Sequence, residues 1–366
     1  MPGHDIIVIG ASAGGVEALA QLVRGLPPDL PAAVFVVLHI SPDGTSVLPN
    51  ILNRCGPLPA AHPEDNQAIQ HGRIYVAPPN KHLLVKNGHI RLTRGPRENR
   101  NRPAVDPLFR TAARWYGPRV VGVVLSGMLD DGTAGLLAIK SRGGTAIVQD
   151  PGEAFYAGMP RNAIENVPVD RVLWVFDMAP ALVELARQPV FEEGAAPVSE
   201  ELEIESDIAE FEMATYEQEP KIGTPSAFSC PECHGALWEI RDGELARYRC
   251  RTGHAFSPDS LAAAQAEALE EALWTALRAL EESAALSRRL RERMAQHGRP
   301  RAAARFEDQA RTAEERAEVI RQVLLKSDVA GTVEPSDAAV AGTAEDPKSG
   351  QSPPPPPGGA AQQGQS

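Results

Sequence analysis

The stretch that decides the fold is Ile6-Ile7-Val8-Ile9-Gly10-Ala11-Ser12-Ala13-Gly14-Gly15, near the amino end of this 366-residue chain. Its first four residues form a continuous apolar run, which is typical of a strand that is covered on both faces. A glycine-rich turn follows, and then a helical pattern from Val16 to Arg24. A buried strand that turns sharply into a helix indicates an α/β domain with a mainly parallel sheet.

More apolar runs alternate with helical stretches as far as residue 188 and extend the same pattern. We predict further strands at Val34–Leu38, Ile74–Ala77, Val120–Leu125, Thr145–Val148 and Val172–Phe176. Ligands of open α/β sheets bind at the carboxyl ends of the strands. The residues that directly follow a predicted strand are therefore the first candidates for a site.

Length, composition and charge exclude several classes of protein. A chain of this length is expected to hold two or three domains. Its formal net charge of −12 argues against a nucleic-acid partner bound through a positive surface. No apolar run approaches the roughly 20 residues of a membrane-spanning helix, and the first residues lack the basic stretch of a signal peptide. Four cysteines, three of them between residues 230 and 250, do not make a secreted disulfide framework, so we expect a cytoplasmic protein.

Changes in composition divide the chain into five predicted segments. They are an α/β domain at 1–188, an acidic linker at 189–222, a cysteine-containing module at 223–258, a helical hairpin at 259–327, and a disordered Pro/Gly/Gln tail at 328–366. Residues 189–220 carry 11 acidic residues and no Lys or Arg, so they hold nearly all of the net charge. Such a block is usually a solvated linker, although its few apolar residues are enough for one weak helix.

The glycine-rich turn has three interpretations when it is considered alone. A dinucleotide site requires glycine at the position of Ser12, and no acidic residue ends a clear second strand about 20 positions later. A nucleophile turn matches Gly10-x-Ser12-x-Gly14, in which small neighbours leave the serine hydroxyl exposed at a helix amino end. A plain tight turn needs no function. The motif by itself leaves all three open.

A serine nucleophile needs a base, and the base needs a group that orients it. His39 directly follows the second predicted strand, although in isolation it would be interpreted as a helix cap or a buried structural histidine. Asp130 and Asp131 follow Val120–Leu125 among glycines; one is expected to cap the next helix, and the other is free to hold an imidazole. Ser12, His39 and Asp131 would then meet at one edge of one sheet.

Residues 1–188 resemble the catalytic domain of the chemotaxis protein-glutamate methylesterase family, CheB. The matching segments cover the whole domain in order and are Val8–Gly15, Val37–Ile40, Ile74–Pro78, Asn101–Asp106, Leu125–Gly132, Gln149–Pro151 and Gly158–Pro160. The resemblance implies a doubly wound α/β domain with Ser12 as nucleophile, His39 as general base and Asp131 as the residue that orients it. It also implies that the backbone N–H of Met128 helps to bind the oxyanion and that catalysis needs no cofactor.

The implied reaction is hydrolysis of glutamate γ-methyl esters on the cytoplasmic helices of chemoreceptors, with glutamate and methanol as products. The family also implies glutamine deamidation by the same steps. One departure is Ala13, where many relatives have Thr or Ser, and we expect it to change the rate and not the type of reaction. A second departure is that the catalytic strand starts at residue 6, so we expect no amino-terminal receiver domain to regulate this chain.

The carboxy-terminal half contains a candidate metal site. Cys230-Pro231-Glu232-Cys233 and Cys250-Arg251-Thr252-Gly253-His254 are separated by 16 residues. This Cys₃His set, with Cys230, Cys233, Cys250 and His254 as ligands, suits a structural Zn²⁺ in a zinc-ribbon-like module. Four protein ligands close the coordination shell, so no catalytic role for the metal is expected. A trio of reduced core cysteines is the alternative.

Two Ala-rich helices are predicted, from Ser260 to about Gln296 and from about Ala302 to Lys326. Their apolar spacing predicts an antiparallel hairpin, which would be structural, dock onto receptor helices or mediate self-association. Arg100 and Arg102, at the start of the matching segment Asn101–Asp106, are candidate docking residues for an acidic receptor region, and the acidic linker would compete for them.

Two functional classes follow from these observations. The first is an active methylesterase. The second is a catalytically silent adaptor, whose former active-site domain binds receptors of a chemosensory array. The intact Ser12, His39 and Asp131 favour the first class.

Overall fold

The computed structural model describes residues 3–191, 196–211, 223–243 and 245–330, with side chains as far as residue 326. The strands of its first domain are β1 Ile6–Ala11, β2 Ala33–Leu38, β3 Ala60–Ala61, β4 Arg73–Val76, β5 His82–Lys86, β6 His89–Thr93, β7 Val120–Val124, β8 Thr145–Gln149 and β9 Arg171–Leu173. One sheet contains seven of them in the order β3-β4-β2-β1-β7-β8-β9, and every neighbouring pair is parallel. β5 and β6 form a separate antiparallel hairpin.

Helices cover both faces of this sheet. They are α1 Gly15–Arg24, α2 Leu48–Cys55, α3 Val105–Tyr116, α4 Thr133–Ser141, α5 Gly158–Asn166 and α6 Val175–Arg187. In β1, Ile7 and Ile9 belong to the core beneath α1, α2 and α6, whereas Ile6 and Val8 belong to the core beneath α3, α4 and α5. Successive side chains of a strand point to opposite faces, so an apolar strand needs both faces covered. The predicted doubly wound α/β fold is confirmed.

Two details of the first domain differ from the sequence prediction. The run Val172–Phe176 is a strand only as far as Leu173, because α6 begins at Val175. The hairpin of β5 and β6 was not predicted at all. It contributes a fully buried His82, whose Nε2 lies 2.8 Å from the carbonyl oxygen of Pro96.

The described residues beyond the first domain form a short helix, a four-stranded sheet and two long helices. They are α7 Glu200–Glu210, β10 Thr224–Ser229, β11 Ala236–Asp242, β12 Leu245–Cys250, β13 Ala255–Phe256, α8 Pro258–Gln296 and α9 Pro300–Ala330. The chain as far as Glu271 forms one compact unit, and the residues from Ala272 onward form a second. Within the second unit, Leu277 of α8 packs with Ala317 and Leu324 of α9. None of the helices in the described residues is long and apolar enough to cross a membrane.

Part of the segment expected to be a solvated linker is a packed helix. In α7, Leu202 belongs to the core of the first domain, and the carboxylates of Glu205 and Glu210 are buried. Glu205 accepts two hydrogen bonds, of 2.7 and 2.8 Å, from the guanidinium group of Arg247 in β12. The expectation of a solvated segment is therefore wrong for residues 200–210, which form the one helix that the apolar residues allowed, because basic residues of other elements pair with its buried carboxylates. Residues 192–195, 212–222 and 331–366, which include most of the predicted tail, lie outside the described residues.

Candidate active site

Three neighbouring strands end at the same edge of the sheet and carry the predicted site residues. Ser12 directly follows β1, His39 directly follows β2, and Asp131 lies in the loop after β7. The strand order β2-β1-β7 makes these three ends adjacent. Ser12, His39 and Asp131 line one cleft of about 420 Å³. The fold thus brings the three residues together at the edge where ligands of such sheets bind.

Ser12 lies in a sharp turn between β1 and α1. Gly14 precedes α1 with a φ of 72°, in the left-handed region that favours glycine. A Cβ atom at Gly14 would lie 2.7 Å from Ser126 Oγ, and one at Gly127 would lie 2.8 Å from Ser12 Cβ. The two glycines therefore allow the loop after β7 to approach the serine closely. The backbone N–H of Ser12 donates to the carbonyl of Ser126 over 2.9 Å, which joins the two loops.

His39 is held by Asp131. Its Nε2 lies 2.7 Å from Asp131 Oδ2, and only 10% and 3% of the two side chains are exposed. Within the described residues no hydrogen bond joins the hydroxyl of Ser12 to His39. Contacts of this kind often tighten only when substrate is bound. The contact with Asp131 occupies Nε2 and leaves Nδ1 of His39 available to a proton donor in the cleft.

Asp131 accepts hydrogen bonds from several groups besides His39. Backbone N–H groups of Val105 and Asp106 donate to it over 2.7 and 3.2 Å, and Asn99 Nδ2 donates over 2.9 Å. Burial by itself would raise the pKa of Asp131, but the hydrogen bonds from His39, Val105 and Asn99 hold it below its usual value. The helix α3 also directs its amino end at this carboxylate, which favours negative charge. Asp131 is therefore ionised, and it caps α3 and not the helix that follows it.

Asp106 is a second buried carboxyl group, directly beside Asp131. Its Oδ1 accepts from two backbone N–H groups at the amino end of α4, over 3.1 and 2.6 Å. Burial and the charge of Asp131 raise the pKa of Asp106 to about 8. At neutral pH the negative charge of this pair therefore lies on Asp131.

Asp130 differs from its neighbour Asp131 in both partner and charge. Its Oδ1 accepts from the hydroxyl of Ser257 over 2.6 Å. Burial raises the pKa of Asp130 to about 6, although this hydrogen bond acts in the opposite direction. Of the two adjacent aspartates, only Asp131 contacts His39.

The loop after β7 also carries the predicted oxyanion donor. Gly127 is fixed in place because its N–H donates to Tyr156 and its carbonyl accepts from Met159, over 3.0 and 2.9 Å. The next N–H along the chain, that of Met128, has no protein acceptor within the described residues, and Met128 lines the same cleft as Ser12. An N–H donor without a protein acceptor, beside a hydrogen-bonded residue of the same loop, is an arrangement that suits an oxyanion site.

The candidate docking residues Arg100 and Arg102 lie in different surroundings. Arg100 lines the cleft, and its guanidinium group pairs with Glu267 of α8. Arg102 is not among the described residues that line this cleft. Its guanidinium group donates to Asn80 Oδ1 over 2.7 and 2.9 Å and to the carbonyl of Gly95 over 2.8 Å. Of the two, Arg100 is the one placed to meet a molecule in the cleft.

One wall of the cleft comes from the second half of the chain. Glu232, between Cys230 and Cys233, lines the cleft together with Glu267. Arg97 Nη1 lies 3.4 Å from Glu232 Oε1, so each carboxylate faces an arginine of the first domain. The candidate active site is therefore shared between the α/β domain and the cysteine-containing module.

The four predicted metal ligands lie together in this module. The ligand atoms of Cys230, Cys233, Cys250 and His254 are all within 4.8 Å of one another. His254 Nδ1 lies 3.7 Å from the sulfur of Cys230 and 3.6 Å from that of Cys250, and the sulfurs of Cys233 and Cys250 are 3.7 Å apart. A tetrahedral Zn²⁺ with bonds of about 2.3 Å to sulfur and 2.0 Å to nitrogen has edges of roughly 3.5 to 3.8 Å. The residues present therefore fit a zinc ion.

Comparison with known proteins identifies the family of the first domain. Residues 7–182 match the family model described as CheB methylesterase. A protein of Leptospira interrogans, provisionally named protein-glutamate methylesterase/protein-glutamine glutaminase, is 39% identical over 183 residues, which are 50% of this chain and 95% of that protein. The chain belongs to the CheB methylesterase family.

Other members of the CheB methylesterase family are similar over the same region. Protein-glutamate methylesterase/protein-glutamine glutaminase 2 of Anaeromyxobacter dehalogenans is 43% identical over 183 residues, which are 50% of this chain and 54% of that protein. The chain thus spans about half the length of this relative. The crystal structure of the Thermotoga maritima CheB methylesterase catalytic domain is 35% identical, with a TM-score of 0.48 over 50% of this chain and 98% of that one. The CheB methylesterase family is a family of hydrolases.

Sequence reasoning missed several residues around the site. Asp106 lies at the end of the matching segment Asn101–Asp106, which could have drawn attention to it, and Asn99 lies two positions before that segment. Nothing in the sequence pointed to Ser257 or Glu267, because their approach to this CheB-family domain depends on how the second half of the chain folds.

Proposed function

We propose that this chain is a protein-glutamate methylesterase, which hydrolyses glutamate γ-methyl esters of a chemoreceptor with Ser12, His39 and Asp131. The observation that carries the proposal is the pairing of His39 with an ionised Asp131, 2.7 Å apart, in the cleft that also contains Ser12. Membership of the CheB methylesterase family supports it. The names of the relatives also include glutaminase activity, so glutamine deamidation by the same residues is part of the proposal.

The reaction begins with a proton transfer. Nδ1 of His39 takes the proton of the Ser12 hydroxyl while the oxygen attacks the ester carbonyl. Asp131 stabilises the imidazolium that forms and keeps its own charge. The imidazolium then gives its proton to the departing methoxide, which leaves as methanol. Water hydrolyses the remaining glutamyl-serine ester by the same steps, and glutamate is released.

The tetrahedral intermediates of this reaction carry a negative charge on the former carbonyl oxygen. The N–H of Met128 is the proposed donor to this oxygen, and the amino end of α1 adds a favourable field. Loss of one such donor typically costs about 3 to 4 kcal/mol of transition-state stabilisation. The neutral methyl ester of the substrate gains this contact only as it becomes charged, so the contact accelerates the reaction and does not merely bind the substrate.

The proposed partner is a cytoplasmic helix of a methyl-accepting chemoreceptor, and the proposed location of the enzyme is therefore the cytoplasm. Arg100 at the cleft is the proposed contact for acidic residues of that helix. Exposed apolar side chains of α8 and α9, such as Leu286 and Val319, support a docking or self-association role for this hairpin.

The decisive experiment measures methanol release from a methylated receptor fragment by the full chain, by Ser12→Ala and by Asp131→Asn. We expect release by the wild type and none above background from Ser12→Ala. Asp131→Asn should lower kcat by about 10³ to 10⁴-fold, because an amide neither fixes the tautomer of His39 nor stabilises its charge.

The outcomes separate the two functional classes. Release that persists in Ser12→Ala would contradict the assignment of the nucleophile. Tight binding of the receptor fragment without methanol release by the wild type would instead favour a silent adaptor.

The Cys₃His cluster is proposed to hold one structural Zn²⁺, with Cys230, Cys233, Cys250 and His254 as ligands. With four protein ligands the ion would have no open position, so we assign no catalytic step to it. Metal analysis of the purified chain should find one zinc per chain. Cys230→Ser should lose it, whereas Cys55→Ser, which alters a cysteine outside the cluster, should retain it.

A further inference from the structure

The carboxamide of Asn99 connects the candidate catalytic aspartate to the cysteine-containing module. On one side, its Nδ2 donates to Asp131 Oδ1 and to Asp106 Oδ2, each over 2.9 Å. On the other side, its Oδ1 accepts from the backbone N–H of Ser257 over 3.0 Å and lies 3.1 Å from Ser260 Oγ. Asn99, Ser257 and Ser260 are all buried.

The orientation of this amide matters because its two ends have opposite roles. With Nδ2 towards Asp131, the amide donates a hydrogen bond to the carboxylate that holds His39. With the amide rotated by half a turn, an oxygen would face Asp131 instead, and an acceptor so close would repel the ionised carboxylate. The direction of the amide therefore affects the position and the charge of Asp131.

The module reinforces the direction that the two carboxylates already favour. A backbone N–H can only donate, so the N–H of Ser257 requires that the oxygen of Asn99 face the module. The nitrogen is then left to face Asp131 and Asp106. Ser257 and Ser260 are at the amino end of α8, where Ser257 Oγ also accepts from the N–H of Ser260 over 3.0 Å. This short turn is thus held in place by the helix itself.

Backbone hydrogen bonds and buried ion pairs attach the module to the first domain next to Asn99. The N–H of Asn99 donates to the carbonyl of Ala255 over 2.8 Å, and the N–H of Ala255 donates to the carbonyl of Arg97 over 3.3 Å. The buried guanidinium group of Arg249 in β12 lies 3.2 Å from Glu98 Oε1 and 2.8 Å from Glu205 Oε1. Backbone pairing and buried charges therefore join the module to Asn99 and to the two residues before it.

We infer that Ser257 and Ser260 are positioning residues of the esterase, which act on Asp131 through the amide of Asn99. The inference rests on the proposed function and deepens it, because it assigns the end of the cysteine-containing module and the start of α8 a role in positioning Asp131. The catalytic domain then depends on a turn that lies outside the CheB-matching region.

The experiment compares Ser260→Ala with a matched control, Ser226→Ala, in the full chain. Ser226 belongs to the cysteine-containing module, and its hydroxyl donates to the carbonyl of Leu237 over 2.8 Å, but it does not contact Asn99. Two rates are measured: methanol release from a methylated receptor fragment, and covalent labelling of Ser12 by a small fluorophosphonate. We expect Ser260→Ala to lower kcat and the labelling rate together by about three- to ten-fold, the usual effect of one hydrogen bond, with KM unchanged. Ser226→Ala should change neither rate.

A third variant tests whether Ser260 acts through Asn99. Asn99→Asp replaces the donor beside Asp131 with an acceptor, and aspartate tolerates the left-handed φ of 47° at this position. In the Asn99→Asp background, Ser260→Ala should cause no further loss of either rate, since the orienting amide is already gone.

The outcomes distinguish this inference from the proposed function. Labelling of Ser12 without methanol release would contradict the proposed substrate, while the labelling rates of the variants would still support or overturn the positioning role. If Ser260→Ala lowers only the melting temperature and both rates stay unchanged, the role is merely structural and the inference fails. It fails also if the wild type is neither labelled nor active.

Discussion

At the scale of single residues, three neighbouring carboxyl groups have three different states because their partners differ. Asp131 faces a histidine, an amide and the amino end of α3, which lower its pKa below the usual value. Burial and the charge of Asp131 raise the pKa of Asp106 to about 8. Burial raises the pKa of Asp130 to about 6. Asp130 and Asp131 are adjacent in sequence, so their residue types alone do not reveal which one holds His39.

The raised pKa of Asp130 predicts a pH-dependent stability. A carboxyl group whose pKa rises on folding stabilises the fold at pH values below about 4, and this contribution is lost as the pH rises through about 6. Asp130→Asn removes the ionisation and keeps an oxygen for Ser257. The free energy of unfolding of the variant minus that of the wild type should therefore increase between pH 4 and 6, by about 3 kcal/mol at most.

Denaturant unfolding at a series of pH values measures this difference. Asp29→Asn, in which an exposed surface carboxylate is lost, is the control and should show no comparable gain. A constant difference between Asp130→Asn and the wild type across this range would contradict the prediction.

The sequence predicted the residues of the site better than it predicted their partners. Ser12, His39 and Asp131 could be selected because each lies close to the end of an apolar run, and strand ends of a parallel sheet share an edge. Asn99 lies in a polar stretch with no comparable pattern. Its importance depends on contacts with Ser257 and Asp131, which are distant in sequence.

At the scale of elements, α3 and α4 cap each other. Asp131, just before α4, accepts from the first N–H groups of α3, and Asp106, in the first turn of α3, accepts from N–H groups at the amino end of α4. Neither helix has a capping side chain at its own N-cap position. The usual expectation that an aspartate caps the helix directly after it therefore does not hold here, because the two helix ends meet in space.

Elements of the second half are joined to the first domain by buried charges. Both carboxylate oxygens of Glu98 accept a hydrogen bond from Arg110 Nη2, over 2.7 and 2.6 Å. Glu98 Oε1 also faces the guanidinium group of Arg249. Burial by itself would raise the pKa of Glu98, but the two guanidinium groups hold it below its usual value. Removal of one partner from such a group leaves uncompensated buried charge.

Glu98→Gln should therefore be strongly destabilising. We expect a loss of about 3 to 5 kcal/mol in the free energy of unfolding, because Arg110 and Arg249 lose their shared carboxylate. The matched control is Glu184→Gln, which breaks an exposed pair with Arg171 and should cost about 1 kcal/mol or less. Chemical denaturation of both variants measures the two losses, and equal losses would show that the buried pair contributes no more than a surface pair.

At the scale of the whole molecule, the candidate catalytic cleft is not a property of the α/β domain alone. The cysteine-containing module lines it with Glu232, and α8 lines it with Glu267. Each of these glutamates faces an arginine of the first domain, so the rim combines opposite charges. The acidic linker does not supply these partners within its described residues, and α7 instead pairs with arginines of α3 and β12.

Removal of the proposed zinc should therefore affect both halves of the first unit. A strong chelator is expected to expose Cys230, Cys233 and Cys250 to a thiol reagent, because four ligands without a metal no longer hold the module together. Methanol release should fall in parallel, since the turn that orients Asn99 belongs to this part of the chain. Added zinc should restore both properties. Loss of zinc with full retention of activity would contradict the coupling.

The sequence by itself determined the class of fold, the edge of the sheet that carries the site, and the Cys₃His cluster. These features follow from local patterns: apolar runs give buried strands, and short cysteine spacings bring together side chains that could hold a metal ion. Only the tertiary structure decided that Asp131 caps α3 and not α4, that α7 is packed and not solvated, and that Ser257 reaches Asn99. Each of these depends on contacts between residues far apart in the chain, and the geometry of such contacts is set by the packing of whole elements and not by any local pattern of residues.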